Sequence, residues 1–295
     1  LSLENLFPQE YIKKDNESII NNLNKHLNNL KTELKKVDNE EKLYYLLQKY
    51  LWCISLEDKT ISLFDYVKSL SCIALCLYEQ NKAGEIQLDN INEKEHFLLI
   101  NGDISGIQDF IFKISSKGAA KSLKGRSVYL NLLLEIIVKH IIEELDLYDT
   151  NLIYNGGGNF YIIAPACKKE RLEKVKRNLD EKLLNAHNGE IYVALSHIGL
   201  KPCDFNDFTN NWRKIGEETA KLKRIKWGEL DLHSNYEKIF GPLDEGTSDK
   251  NRCSVCGISS LQRDIRSISD DESVCELCSS FRDLTDKLKD VLMLK

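Results

Sequence analysis

The apolar periodicity of residues 96–200 switches repeatedly between strand and helix, and this switching constrains the fold more than any other feature of the sequence. Phe97–Ile100 is a short apolar run ending in Asn101-Gly102-Asp103, the mark of a buried strand. Ile107, Phe110, Ile111 and Ile114 then fall at helical spacing. Ser127–Leu145 is a second, longer helix, apolar at Val128, Leu132, Leu133, Ile136, Ile137 and Ile141. Leu152–Tyr154 and Phe160–Ala164 are strands joined through Asn155-Gly156-Gly157-Gly158-Asn159, a hairpin signal. Lys168–Ala186 is a charged helix, and Glu190–Ile198 alternates, with Ile191, Val193 and Leu195 on one face of a half-buried strand.

The order strand, helix, strand, strand, helix, strand is the split, ferredoxin-like (βαββαβ) arrangement. It predicts a four-stranded antiparallel sheet with helices on one face, and an α+β fold class. Three regions are expected: a helical region over 1–95, this palm-like domain over 96–200, and a connector with a cysteine module over 201–295. In the first, Leu23, Leu27, Leu30 and Leu34 form one apolar stripe, and Glu41–Trp52 and Leu63–Tyr78 are amphipathic. Lys82–Lys94 is polar and aperiodic, which suits a boundary. In the third, Trp212, Ile225 and Trp227 are expected to anchor residues 201–250, and a helix runs over Phe281–Leu294.

Cys253, Cys256, Cys275 and Cys278 form two C-x2-C pairs separated by 18 residues. Each knuckle sets two thiolates on one side of a tight turn, and two knuckles close a tetrahedron around zinc. Four thiolates leave no open coordination position, so the expected zinc is structural. A redox pair would need a thioredoxin-like context, and two disulfides an oxidising compartment. The other five of the nine cysteines (Cys53, Cys72, Cys76, Cys167, Cys203) are scattered among apolar residues and are expected to be small buried hydrophobes. An odd count without a framework argues for an intracellular, cytoplasmic protein. No apolar run approaches the length of a membrane span.

The net charge of −5 supplies no global field for nucleic acid, so any such binding rests on a local patch. The candidate is Lys117, Lys121, Lys124 and Arg126, four positive charges in ten residues, expected in a glycine-bearing loop before the long helix. A solvated loop is the plain alternative, with Ser127 as the helix cap.

Palm nucleotidyltransferases and cyclases place two divalent metals on carboxylates at the end of the first strand and at the hairpin. Here the first strand ends in Asp103, but the hairpin carries Gly158 and Asn159 where such enzymes have acids. One carboxylate does not hold two metals, so this palm is expected to be catalytically silent while still able to cradle a nucleotide. Gly156–Gly158 also suit a plain turn, and Asp103 a helix cap.

Asn-Gly-Asp-Ile-Ser-Gly-Ile-Gln-Asp-Phe-Ile-Phe (101–112), Lys-Gly-Ala-Ala-Lys-Ser-Leu-Lys-Gly-Arg-Ser (117–127) and Asn-Gly-Gly-Gly-Asn-Phe (155–160) together resemble the large subunit of type III-A CRISPR effector complexes. The four-cysteine module follows in the same order, and the resemblance covers about residues 55–295. It implies a full-length subunit with an HD nuclease domain that cuts single-stranded DNA. A second palm bearing Gly-Gly-Asp-Asp would make cyclic oligoadenylates from ATP when target RNA is bound. It further implies that Asp103, Ser105, Gly106, Gly156, Gly157 and Gly158 wall a nucleotide site. ATP and divalent metal would then bind only with the second palm, expected beyond Lys295. The implied partners are CRISPR RNA, target RNA and the other effector subunits. No Gly-Gly-Asp-Asp occurs in this sequence, and Tyr66 stands in Ile61-Ser-Leu-Phe-Asp-Tyr66 where the family often has His. The chain is therefore expected to be a fragment, inactive by itself. The alternatives are a zinc-bearing RNA-binding or assembly module without enzymatic activity, and a diguanylate-type cyclase, which the missing hairpin acids disfavour.

Overall fold

The computed structural model describes residues 16–55, 60–86, 88–114, 119–241, 252–259, 264–269 and 272–288. The chain divides into two compact units, residues 1–71 and 72–295. The described part of the first is mostly helical: α1 (Asn16–Leu34), α2 (Glu40–Leu51) and the start of α3 (Leu63–Lys82). Caps fix the starts of α2 and α3. The extended Asn39 accepts from the Lys42 amide at 2.8 Å. Ser62 and Asp65 bond reciprocally, Ser62 Oγ donating to the carboxylate and accepting the Asp65 amide. Leu30, Tyr50 and Phe64 are buried, whereas Leu23 and Leu34 of the same apolar stripe are exposed.

The second unit is built on a four-stranded sheet. Its strands are β1 (Phe97–Ser105), β2 (Leu152–Gly156), β3 (Asn159–Pro165) and β4 (Tyr192–Leu200), in the spatial order β2-β3-β1-β4. Every pairing is antiparallel. Helices α4 (Ile107–Phe112) and α5 (Ala119–Glu144) connect β1 to β2, and α6 (Lys169–His187) connects β3 to β4. The fold is thus a mixture of helix and antiparallel sheet in the expected element order.

The sheet is covered on both faces, not one. Leu98, Ile100 and Ile104 of β1 pack with Phe160 and Ile162 of β3 against Leu134 and Ile141 of α5 and Leu172 and Leu179 of α6. On the opposite face Phe97, Leu99 and Ile163 meet Cys72 and Cys76 of α3 and Ile215 of α7 (Thr209–Arg224). The continuous run Phe97–Ile100 reflects this, because a strand with two buried faces carries apolar residues at consecutive positions. The expected half-buried alternation in β4 fails for the same reason: Ile191 to Leu195 are all buried. Gly102 sits opposite Phe160 in the register, and the phenyl ring occupies the space a side chain at 102 would need.

Other expectations are corrected by tertiary contacts. Helix α5 begins at Ala119, eight residues before Ser127, so Ser127 is not its cap. The last helix, α9 (Glu276–Lys287), begins five residues before Phe281. Its expected end, residues 289–294, lies outside the described residues. Cys72 and Cys76 are buried, but Cys53, Cys167 and Cys203 are exposed. Trp227 is buried against Tyr192, with ring centroids 4.9 Å apart, while Ile225 is exposed. The short helix α8 (Tyr236–Phe240) follows.

One buried acid opposes folding at neutral pH. Asp180 on α6 is about 1% exposed, and burial pushes its carboxyl up to about 7 against the pull of Lys176, with Glu229 adding to the rise. A carboxyl raised in the folded state stabilises most below its unfolded pKa near 4, and that stability is lost as pH rises through about 7. Asp180→Asn should therefore unfold in urea like the parent at pH 4. At pH 8 it should be more stable by about 2–4 kcal/mol, following from roughly 1.4 kcal/mol per pKa unit. Identical pH slopes for the two proteins would contradict this.

Candidate functional site

Two sites emerge from the second unit. The first is the cysteine module. The turn Cys253–Gly257 closes through the Gly257 amide on the Cys253 carbonyl (2.9 Å), with Gly257 at φ 75°. The second pair stands where β6 (Glu272–Cys275) runs into α9, after its hairpin with β5 (Ile265–Ser269). The four sulfurs all lie within 4.8 Å of one another. Cys256 and Cys275 Sγ are 3.7 Å apart, close to the roughly 3.8 Å edge of a tetrahedron with 2.3 Å metal–sulfur bonds. The Cys275 amide donates to Cys253 Sγ at 3.3 Å, favouring the thiolate. The donor set and spacing fit one divalent metal ion. Among the described residues this is the one cluster of three or more metal-ligating groups.

The second site is the hairpin end of the sheet. Asp103 does not end its strand and caps no helix: β1 runs on to Ser105, and Asp103 pairs with Asn159 of β3 and Ala194 of β4. The five-residue turn contracts to Gly157-Gly158, both at positive φ (63° and 87°), which matches the tight twist of a two-residue hairpin. Gly158 lies against Ile104 and Ile107, and its carbonyl accepts the Ile104 amide at 2.8 Å. Gly106 (φ 94°) passes so close to the Glu190 carbonyl that no side chain fits. Asp103, Ser105, Gly106 and Gly156–Gly158 thus converge on one end of the sheet, while Gly157 stays open.

The carboxylate at this end has a partner that sequence reasoning missed. Lys223 Nζ, from the last turn of α7, donates to Asp103 Oδ2 at 2.6 Å, with both side chains about one-third exposed. Behind the pair lies a buried polar chain. Asn101 donates to Asn159 Oδ1 (2.9 Å) and to the Phe160 carbonyl (3.0 Å), Thr219 donates to Asn101 Oδ1 (2.6 Å), and Ser196 joins Thr219 at 2.6 Å. Burial first, then the charge of Asp103 and the neighbouring Tyr154, raises the Tyr161 phenol. The residue opposite Asp103 in the sheet is therefore an amide, Asn159, and the Asp103 carboxylate is answered by the Lys223 ammonium group. Ile215, Thr219 and Leu222 at helical spacing were the available signal for which face of α7 meets the sheet.

The basic stretch is helix, not loop, over its described part. Lys121 and Lys124 are exposed, and Lys121 pairs with Asp286 at 3.1 Å. Lys117 lies outside the described residues. Arg126 is buried, at 3% exposure, and is removed from any nucleic-acid surface. The four cations therefore do not form one patch. No helix among the described residues is long and apolar enough to cross a membrane.

If the cysteine cluster binds as its geometry indicates, elemental analysis will find one metal ion per chain. Cys275→Ser should lose it and melt at lower temperature. A variant that keeps full metal content and stability would contradict the site.

Comparison with known proteins agrees with this architecture. Residues 96–242 match the family model for Csm1 subunit domain B. The chain is 35% identical to the CRISPR system single-strand-specific deoxyribonuclease Cas10/Csm1 (subtype III-A) of Methanocaldococcus jannaschii, over 86% of this chain and 37% of that protein. It is 32% identical to the protein of the same description from Thermococcus onnurineus, over 88% and 34%. The chain thus spans about a third of the length of these relatives. Among solved structures, the apo Csm1-Csm4 cassette superposes with a TM-score of 0.63 at 30% identity, over 73% of this chain and 31% of that one. The same cassette in complex with cA4 gives 0.64 at 28%, over 77% and 33%. The chain belongs to the Cas10/Csm1 family of large subunits of subtype III-A CRISPR complexes.

Proposed function

We propose that this chain is the first-palm and zinc-bearing part of a type III-A large subunit, and that its palm is a nucleotide wall that holds no catalytic metal. The observation that carries this reading is the Asp103–Lys223 ion pair opposite Asn159: Asp103 is the one carboxylate on the four strands, and a lysine compensates its charge. The strand order β2-β3-β1-β4, antiparallel throughout, supports assigning residues 96–200 to a ferredoxin-like palm. Residues 1–95 would then be a helical region at the end of an HD-type domain, and residues 201–295 the connector with its zinc module. Asp65 serves there as a helix-capping acid beside Tyr66, which supports a region without a nuclease centre.

In the full-length subunit a second palm would supply the metal-binding acids. ATP would lie between the palms, against Ser105, Gly106 and Gly156–Gly158 of this one. Solved relatives carrying AMPPNP, pppApA, cA3 and cA4 support that substrate class, and the description of the curated relatives supports single-stranded DNA cleavage elsewhere in the protein. The assembly would include a Csm4-type subunit, CRISPR RNA and target RNA in the cytoplasm, with Lys121 and Lys124 as exposed phosphate contacts. Zinc is the ion best suited to four thiolates, and it would hold β6 and α9 in register.

The test is cyclic oligoadenylate synthesis by the full-length subunit in its assembled complex with target RNA. Asp103→Asn should keep synthesis within about threefold, because a residue that holds no metal contributes little to the barrier (about 1.4 kcal/mol per tenfold). Gly158→Val should weaken ATP binding at least tenfold by forcing the hairpin off Ile107. A hundredfold loss in Asp103→Asn would show that this palm ligates catalytic metal and overturn the reading.

A further inference from the structure

The metal-ligating Cys278 has a buried cationic neighbour. Arg126 Nη2 donates to Cys278 Sγ at 3.5 Å, and Nη1 donates to the carbonyl of Phe110, the middle of α4. The guanidinium lies 5.1 Å from the Phe110 ring centroid and 5.7 Å from that of Phe281. Its Nε is buried without a hydrogen-bond partner. The surroundings are built to bring α5 and α9 together here. Gly125 leaves room for the Phe281 carbonyl, where any side chain would overlap it. Thr285 Oγ1 reaches across to the Lys121 carbonyl at 2.9 Å, and Ser122 is fully buried.

A guanidinium at 3% exposure is costly unless a negative charge compensates it. Four thiolates around a divalent ion carry negative charge in excess of the metal's, which is equally costly in a buried site. We propose that Arg126 is the charge partner of the tetrathiolate metal centre, donating to Cys278 and carrying the state of that centre through Phe110 into the α4–α5 wall of the palm. This inference rests on the metal reading given above. It assigns Arg126 a positioning role and removes it from nucleic-acid binding. Arg126 stabilises the thiolate form of Cys278 and fixes its direction, while the bound metal stabilises the buried Arg126. Loading the centre and ordering the first turns of α5 become one event.

Three forms of the intact protein test it: the parent, Arg126→Gln and Arg126→Lys. Each is titrated for zinc against a chromophoric chelator and, after cobalt substitution, read by its thiolate-to-metal charge-transfer band. Partners of metal ligands typically contribute about 10–100-fold in affinity. Arg126→Gln should lose that much and shift the cobalt band, and Arg126→Lys, which keeps the charge, should recover most of it. Equal zinc affinity in parent and Gln variant overturns the proposal, as does a Lys variant no better than Gln. If the Gln variant does not fold, the parent alone decides. Stripping its metal should remove amide-exchange protection from residues 107–112 and 119–130 as well as from the module. Loss confined to residues 252–288 overturns the coupling. A parent that binds no metal overturns the metal reading itself, an outcome distinct from the others.

Discussion

Strand β1 is the constraint on which the second unit depends. It is the inner strand between β3 and β4, paired along most of its length on both edges and buried on both faces. Its even positions face α5 and α6, and its odd positions face α3 and α7. A strand enclosed in this way from Phe97 to Gly102 has almost no free backbone groups there, so the neighbouring elements are placed by what β1 offers them. Phe97 and Leu99 seat Cys72, Cys76 and Ile215, and Leu98 and Ile100 seat the long helix. Where the side chains turn polar, at Asn101 and Asp103, the same strand fixes the hydrogen-bonded chain to Asn159, Thr219 and Ser196 and the ion pair with Lys223.

This continuity explains how the hairpin end holds a fixed shape while presenting a single, lysine-paired carboxylate. The shape comes from backbone: the positive φ of Gly157 and Gly158, the close approach of Gly106 to Glu190, and the register of Asp103 with Asn159. The chemistry would come from a second carboxylate, and Asn159 is an amide whose oxygen is already committed to Asn101. A lysine on Asp103 supplies one positive charge at a fixed place, enough to satisfy one carboxylate without creating an open coordination position.

Much of this was legible in the sequence. Apolar runs and periodicities placed the strands and helices in order because local burial dictates them, and the cysteine spacing alone gave the four-sulfur cluster. The misses have one physical origin, contact between segments distant in sequence. Lys-Gly-Ala-Ala-Lys-Ser-Leu-Lys-Gly-Arg looks like a loop by composition. Most of it is helix, and Gly125 and the Lys121 carbonyl meet α9 there, more than 150 residues away. Arg126 looks like a nucleic-acid contact because nothing local reveals that Phe110, Phe281 and Cys278 enclose it. Lys223 was invisible for the same reason. The second sheet face was half legible, since four consecutive apolar residues in Phe97–Ile100 already require burial on both sides.

The central claim is that the carboxylate on β1 is answered by protein and not by metal. Paramagnetic broadening by Mn2+ reads this directly in the assigned amide spectrum of this chain, free of the second palm. As Mn2+ is added without ATP, the amides of Asp103, Asn159 and Tyr161 should keep their intensity relative to the rest of the sheet. Selective loss of those three signals at low Mn2+ concentration would place a metal ion at this palm and contradict the account.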